Sequence, residues 1–215
     1  QKNKGFIVTF SGVDGAGKTT IIDIVKKQFE QKYRKEVILL RHRPGILPII
    51  SSIKYGGSKN AELEASKRLP RQGTNNNKLS SLIRFSYYFI DYIFGQAYIY
   101  FKYILRGKII IYDRYYYDFI NDSKRSNITL ERTFIKSLFK FIYKPKFNFY
   151  LYNDPEVILN RKQELKEKDI IDLNEKYKEL FSEYNFNQKG EYIQIKNDKK
   201  SITIAEIFHT INKVA

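Results

Sequence analysis

The chain has 215 residues and a formal charge of +16, with no cysteine and two isolated histidines, His42 and His209. Disulfides, thiolate catalysis and clustered Cys/His metal sites are thereby excluded. The length allows one domain, 1–215, with a sizeable core. No apolar N-terminal stretch resembles a signal peptide or a membrane span. A cysteine-free chain fits a reducing compartment, so a cytoplasmic location is expected. The chain begins with Gln1 rather than Met, which reads as a domain taken from a longer chain. The lysines form no long basic block. The charge is therefore read mainly as solvated surface, with an acidic small-molecule partner as the second reading and no dedicated nucleic-acid arm.

The first predicted element is a buried strand, "GFIVTFS" (5–11). "GVDGAGKTT" follows, and Gly12, Gly17, Lys18 and Thr19 match the G-x-x-x-x-G-K-[ST] phosphate loop. Glycines let the main chain approach oxygen atoms and aim its N–H groups inward as an anion nest. Lys18 is expected to reach the β- and γ-phosphates, and the Thr19 hydroxyl to ligate Mg²⁺. Asp14, Gly15, Ala16 and Thr20 complete the candidate nucleotide site. Asp14 is out of place against phosphate unless its carboxylate faces away, towards a second substrate.

Residues 17–33 carry apolar residues at helical spacing, and "EVILLR" (36–41) is the second strand. A long irregular connection, 44–78, precedes the aromatic-rich helical segment 79–107, which Arg84, Asp91 and Lys102 interrupt. That segment is read as a core helix. A homodimer interface or contact with an apolar substrate is the alternative.

"KIIIYDR" (108–114) is the third strand. It ends in Asp113 and Arg114, where a parallel sheet places its ligands. Asp113 could hold Mg²⁺ through water and Arg114 could clamp a phosphate; a surface ion pair is the alternative. Tyr115, Asp118, Asp122 and Arg125 follow as further candidates for the acceptor side.

"KFNFYLY" (146–152) is the fourth strand. Asp154 and Pro155 suit a helix cap and first turn, opening a small basic lid over about 156–172. Arg161 is its candidate catalytic cation; Lys162, Lys166 and Lys168 read as the solvated face of a helix laced with Glu–Lys pairs. "EYIQIK" (191–196) is the fifth strand, and a helix over 201–214 closes the chain with Ser201 as its cap. Strands alternating with helices predict an α/β fold with a five-stranded parallel sheet covered on both faces.

Three motifs resemble the thymidylate kinase-like P-loop kinases: "GVDGAGKTT", "RHRPG" (41–45) and "DRYYYD" (113–118). "PEVILNRKQEL" (155–165) is similar to the lead-in to that family's lid. The resemblance spans nearly the whole chain. It implies a P-loop NTPase three-layer sandwich, ATP and Mg²⁺ as cosubstrates, and transfer of a phosphoryl group to a small acceptor, with dTMP first. It also implies that Asp14 contacts the acceptor's sugar, Arg114 meets its phosphate, and Arg161 approaches the transferred group. Arg43, Tyr115 and Asp118 fall on substrate-side motifs.

The family's thymine-reading stretch has no clean counterpart here. Arg84 and Phe85 stand as its possible substitutes. "RPG", "DRYYYD" and "RKQEL" look closer to a divergent branch often associated with bacterial surface-polysaccharide clusters. A sugar, glycan or lipid-linked acceptor is therefore the second reading. A non-catalytic nucleotide- or nucleic-acid-binding module is the third.

Overall fold

The computed structural model describes residues 4–48 and 75–214. Most of the predicted connection 44–78, from 49 to 74, lies outside the described residues. Five strands form one parallel sheet: β1 (Ile7–Ser11), β2 (Val37–Arg41), β3 (Ile109–Asp113), β4 (Phe147–Tyr152) and β5 (Glu191–Lys196). Their order is β2-β3-β1-β4-β5, so β1 and its phosphate loop sit centrally. The helices are α1 (Lys18–Lys32), α2 (Lys78–Lys102), α3 (Tyr116–Asn121), α4 (Arg132–Ser137), α5 (Pro155–Arg161), α6 (Glu167–Asn187) and α7 (Lys200–Val214).

Alternation along the strands explains the layers, because successive side chains leave opposite faces of a sheet. Val8, Phe10, Ile109 and Ile111 pack against Ile21, Val25 and Phe29 of α1 and Ile207 and Ile211 of α7. Ile7, Ile110, Tyr112 and Tyr150 face the other way, into a core shared with α2, α3 and α6. That second core is rich in tyrosine, and several of its hydroxyls find acceptors. Tyr116 donates to the Ile135 carbonyl at 2.9 Å and Tyr117 to Asn148 Oδ1 at 2.8 Å. Tyr150 donates to Asn174 Oδ1 at 2.6 Å. Such pairing matters because an unpaired buried hydroxyl is destabilising.

Helix α2 starts at Asn77, whose side chain accepts from the N–H groups of Leu79 and Ser80. Asp91 on its buried face fixes the segment after β2. Its carboxylate accepts from Arg43 at 2.7 Å, from the Gly45 N–H at 3.0 Å and from the Leu47 N–H at 2.8 Å. Among the described residues no helix is long and apolar enough to cross a membrane.

Two boundary expectations are corrected. Helix α7 begins at Lys200, with the Thr203 N–H on the Lys199 carbonyl, so Ser201 lies inside the first turn rather than at the cap. The expected lid segment is not one helix: α5 ends at Arg161, with Lys162 as its cap, and α6 starts at Glu167. Lys162 pairs locally with Glu164 at 2.9 Å instead of along a helical face.

Gly95 is the close-approach point between α2 and the loop after β2. A Cβ there would lie 2.3 Å from the Pro44 Cβ. Gly95→Ala would gain about 1 kcal/mol of helix propensity, yet it overpacks this contact. Urea denaturation is expected to show a net loss of about 1–2 kcal/mol; a more stable variant would contradict the packing described.

Candidate active site

The phosphate loop joins β1 to α1. Gly12, Gly15 and Gly17 all have left-handed φ values, of 146°, 91° and 84°. At Gly12 a Cβ would meet the Leu151 carbonyl oxygen at 2.2 Å, and at Gly17 it would meet Asn197 Nδ2 at 2.5 Å. Only glycine fits these two positions. Lys18 is buried and folds back over the loop, donating to the Gly12 carbonyl at 2.8 Å and the Val13 carbonyl at 3.0 Å. Burial and Arg114 push its amine down to about 7, although Asp14, Asp113 and Asp118 act in the other direction. Thr19 and Thr20 are exposed on the first turn of α1, and Ala16 is buried.

Asp14 does not point freely into the cleft. Its carboxylate is held by Arg114 at 2.5 Å and by Arg125. Burial alone would raise its carboxyl, but Arg114, Lys18 and Arg125 outweigh burial and hold it well below the usual carboxylate range. Arg114 also pairs with Asp118 at 2.5 Å and reaches the Gly12 carbonyl at 3.3 Å. Arg114 adopts φ 76° without being glycine. Such a backbone costs about 1–3 kcal/mol and persists where the surroundings enforce it. Here its N–H donates to the Phe10 carbonyl at 2.8 Å, which ties the strained residue to β1.

Asp118 is wholly buried. It accepts from Arg114, from Ser11 Oγ at 3.3 Å and from the Tyr115 N–H at 3.3 Å. Its side chain orients Arg114 rather than facing the cleft. Asp113, at the end of β3, has one buried carboxylate oxygen, Oδ1, with no protein partner among the described residues. Arg161 reaches the loop from α5, its Nη1 3.4 Å from the Gly15 carbonyl oxygen.

Four of the expected substrate-side residues have the following surroundings in the structure. Tyr115 is buried and donates to the Tyr143 carbonyl at 2.7 Å. Phe85 is buried in an aromatic cluster with Phe89, Tyr116, Phe119 and Phe134. Arg43 is committed to Asp91 and lies over the Tyr88 ring at 5.2 Å. Arg84 is half-buried, with its Nε unpaired among the described residues.

The structure gives one candidate, Arg125, its partner and adds one residue, Asn197, that the sequence did not single out. Arg125, on the turn Ser123–Ser126, closes the ion cluster around Asp14. Asn197 follows β5 and donates to the Ala16 carbonyl at 2.7 Å, while Thr203 and Asn153 brace it. Gly17, Thr20, Arg161, Asn197 and Lys200 line a cleft of about 250 Å³ beside the loop. The position of Asn197 just past a strand's C-terminal end was the available signal.

A family model described as thymidylate kinase matches residues 10–207. The chain belongs to the thymidylate kinase family. That makes it a phosphotransferase of the nucleoside monophosphate kinase type. It is 27% identical to the thymidylate kinase of Buchnera aphidicola over 98% of this chain and 91% of that protein. It is 28% identical to a probable thymidylate kinase of Methanocaldococcus jannaschii over 91% and 88%. Its fold resembles the thymidylate kinase structure from Ehrlichia chaffeensis, with a TM-score of 0.63 at 15% identity over 97% and 99%. The Candida albicans thymidylate kinase structure gives 0.63 at 16% identity over 98% and 92%.

The Asp14 cluster makes a stability prediction. A depressed folded-state pKa adds stability that is present above the unfolded value, near 4, and fades as pH falls below it. Asp14→Asn is expected to lower unfolding free energy by about 2 kcal/mol at pH 7. The gap to the unmodified protein should narrow between about pH 5 and pH 2. Urea melts across that range test it; a constant gap would mean that the cluster is not intact in solution.

Proposed function

We propose that the protein transfers the γ-phosphoryl group of ATP, with Mg²⁺, to a small monophosphate acceptor, dTMP being the first candidate. The observation that carries this reading is the ion cluster of Asp14, Arg114 and Arg125 against the phosphate loop. A loop that only bound a nucleotide has no evident use for it.

In this reading the loop N–H groups and Lys18 hold the donor phosphates, and Arg161 adds positive charge where negative charge develops. Thr19 and Asp113 would hold Mg²⁺; an exposed hydroxyl and an unpartnered carboxylate oxygen suit a hard cation that keeps several waters. Bound Mg²⁺ supplies charge neutralisation to the phosphates. Arg114 meets the acceptor phosphate. Asp14 keeps that guanidinium turned towards the loop and, with Asp118, oriented for it. A pre-oriented cation spends little energy on reorganisation as charge builds up.

A saccharide-bearing acceptor is the second reading. It is favoured by the burial of Phe85 and by the engagement of Arg43 with Asp91. Both are unlike a site already open for a flat base.

Two measurements follow. Incubation with ATP–Mg²⁺ and each common nucleoside monophosphate should yield ADP and the diphosphate, with dTMP among the best acceptors. Lys18→Ala should lower turnover at least about a hundredfold. No turnover above that variant on any monophosphate rejects the first reading; a single phosphate added to a saccharide in the same assay supports the second. Separately, a Lys18 amine pushed down to about 7 would be mostly neutral at pH 8 and would gain a proton as a polyphosphate binds. ATP binding at pH 8 should therefore take up a proton, read from binding heats in buffers of different ionisation enthalpy. Lys18→Arg, charged throughout, should lack that uptake.

A further inference from the structure

Buried polar side chains run in series from α6 to the phosphate loop. Asn174 of α6 donates from Nδ2 to the Asn153 carbonyl at 3.3 Å. Asn153, just past β4, donates to the Asn197 carbonyl at 2.8 Å. Asn197, just past β5, donates to the Ala16 carbonyl at 2.7 Å. None of these asparagines is more than 7% exposed.

Each amide is also fixed at its oxygen. Tyr150 donates to Asn174 Oδ1 at 2.6 Å and the Asp154 N–H to Asn153 Oδ1 at 2.9 Å. Thr203 of α7, itself buried, donates to Asn197 Oδ1 at 3.0 Å. All the amide oxygens therefore accept, and all the amide nitrogens donate onward towards the loop. A buried network satisfied in this way is rigid, because turning one amide leaves its neighbours unpaired. Asp154 opens α5, so the series also touches the helix that carries Arg161.

Asn197 meets the loop where the chain is least constrained by itself. Ala16 lies between Gly15 and Gly17, both with left-handed φ. The glycines that permit an anion nest also make it easy to leave. A peptide unit is planar and trans, so its C=O and N–H point opposite ways. With the Ala16 carbonyl drawn to Asn197, the Gly17 N–H is turned away from Asn197. An anion nest needs that N–H facing inward. Rotation of this one peptide would replace a donor with a carbonyl oxygen, which repels phosphate.

We infer that Asn197 is a positioning residue for the donor phosphates. It holds the Ala16–Gly17 peptide in the anion-binding orientation, and Thr203 and Asn153 hold Asn197 there. The role rests on the reading above that this loop takes the phosphates of ATP. Asn197 acts through the loop, since its side-chain nitrogen and oxygen are both engaged by the protein.

The test titrates the full chain with ATP–Mg²⁺ by calorimetry and measures KM for both substrates. Asn197→Ala should weaken ATP binding about tenfold or more. Thr203→Val keeps the shape of the side chain and removes its hydroxyl; it should weaken ATP binding about threefold to fivefold. Thr203→Ser, which keeps the hydroxyl, should bind ATP within about twofold of the unmodified protein. In the kinase assay Asn197→Ala should raise KM for ATP, while KM for the acceptor at saturating ATP stays within about twofold. A general loosening of the fold would move both constants, so the split separates positioning from stability. Where Asn197→Ala fails to fold, Thr203→Val against Thr203→Ser decides. Unchanged ATP affinity in Thr203→Val, or equal rises in both KM values, would overturn the inference. If the variants behave as expected but no monophosphate is phosphorylated, the acceptor reading is rejected and the role of Asn197 stands. An unmodified protein that binds no ATP would overturn both.

Discussion

Arg114 is the residue that ties the phosphate loop to the neighbouring strand and helix. Its guanidinium sits between Asp14 of the phosphate loop and Asp118 of α3, while its backbone is pinned to β1 in a left-handed conformation. Three separate stretches of chain are thereby fixed around one positive charge. Breaking a buried pair of this kind costs more than forming it gains, since the partner left behind stays desolvated. The cluster therefore contributes modestly to stability and strongly to geometry. Arg125 completes it from the next turn, so the acid in the loop is doubly neutralised.

The surrounding architecture serves the same end. The sheet places β1 between β3 and β4, so the loop, Asp113 and the start of α5 converge at one edge. A core built from tyrosine rather than leucine adds direction to burial. Each paired hydroxyl specifies one acceptor, as Tyr150 does with Asn174 and Tyr115 with Tyr143. Packing of this kind tolerates little rotation of α3 or α6 against the sheet, and those helices carry Asp118 and Asn174.

Much of this was legible in the sequence, for identifiable reasons. The five strands are short apolar runs at the predicted places, and the phosphate loop is a local pattern in which glycine spacing alone determines shape. Residue direction was not legible. "DRYYYD" names six residues, yet α3 is so short that one position decides between cleft and core. Tyr115 turns inward to Tyr143, and Asp118 serves Arg114. Arg43 was read by its motif, but the carboxylate it serves, Asp91, lies on α2, far along the chain. Asn197, and the pairing of the candidate Arg125 with Asp14, act across long sequence separations that no local pattern encodes. The break between α5 and α6 was missed because Lys- and Glu-rich sequence suits a helix throughout.

The segment after β4 has a small apolar cluster of its own. Ile158, Ile170 and Leu173 gather around Val13 of the phosphate loop, apart from the two main cores. Mechanically, α5, α6 and the loop share one joint. Val13 cannot keep its contacts if α5 and α6 swing away from it. Displacing either side of this contact therefore loosens the other, through side chains that belong to neither main core.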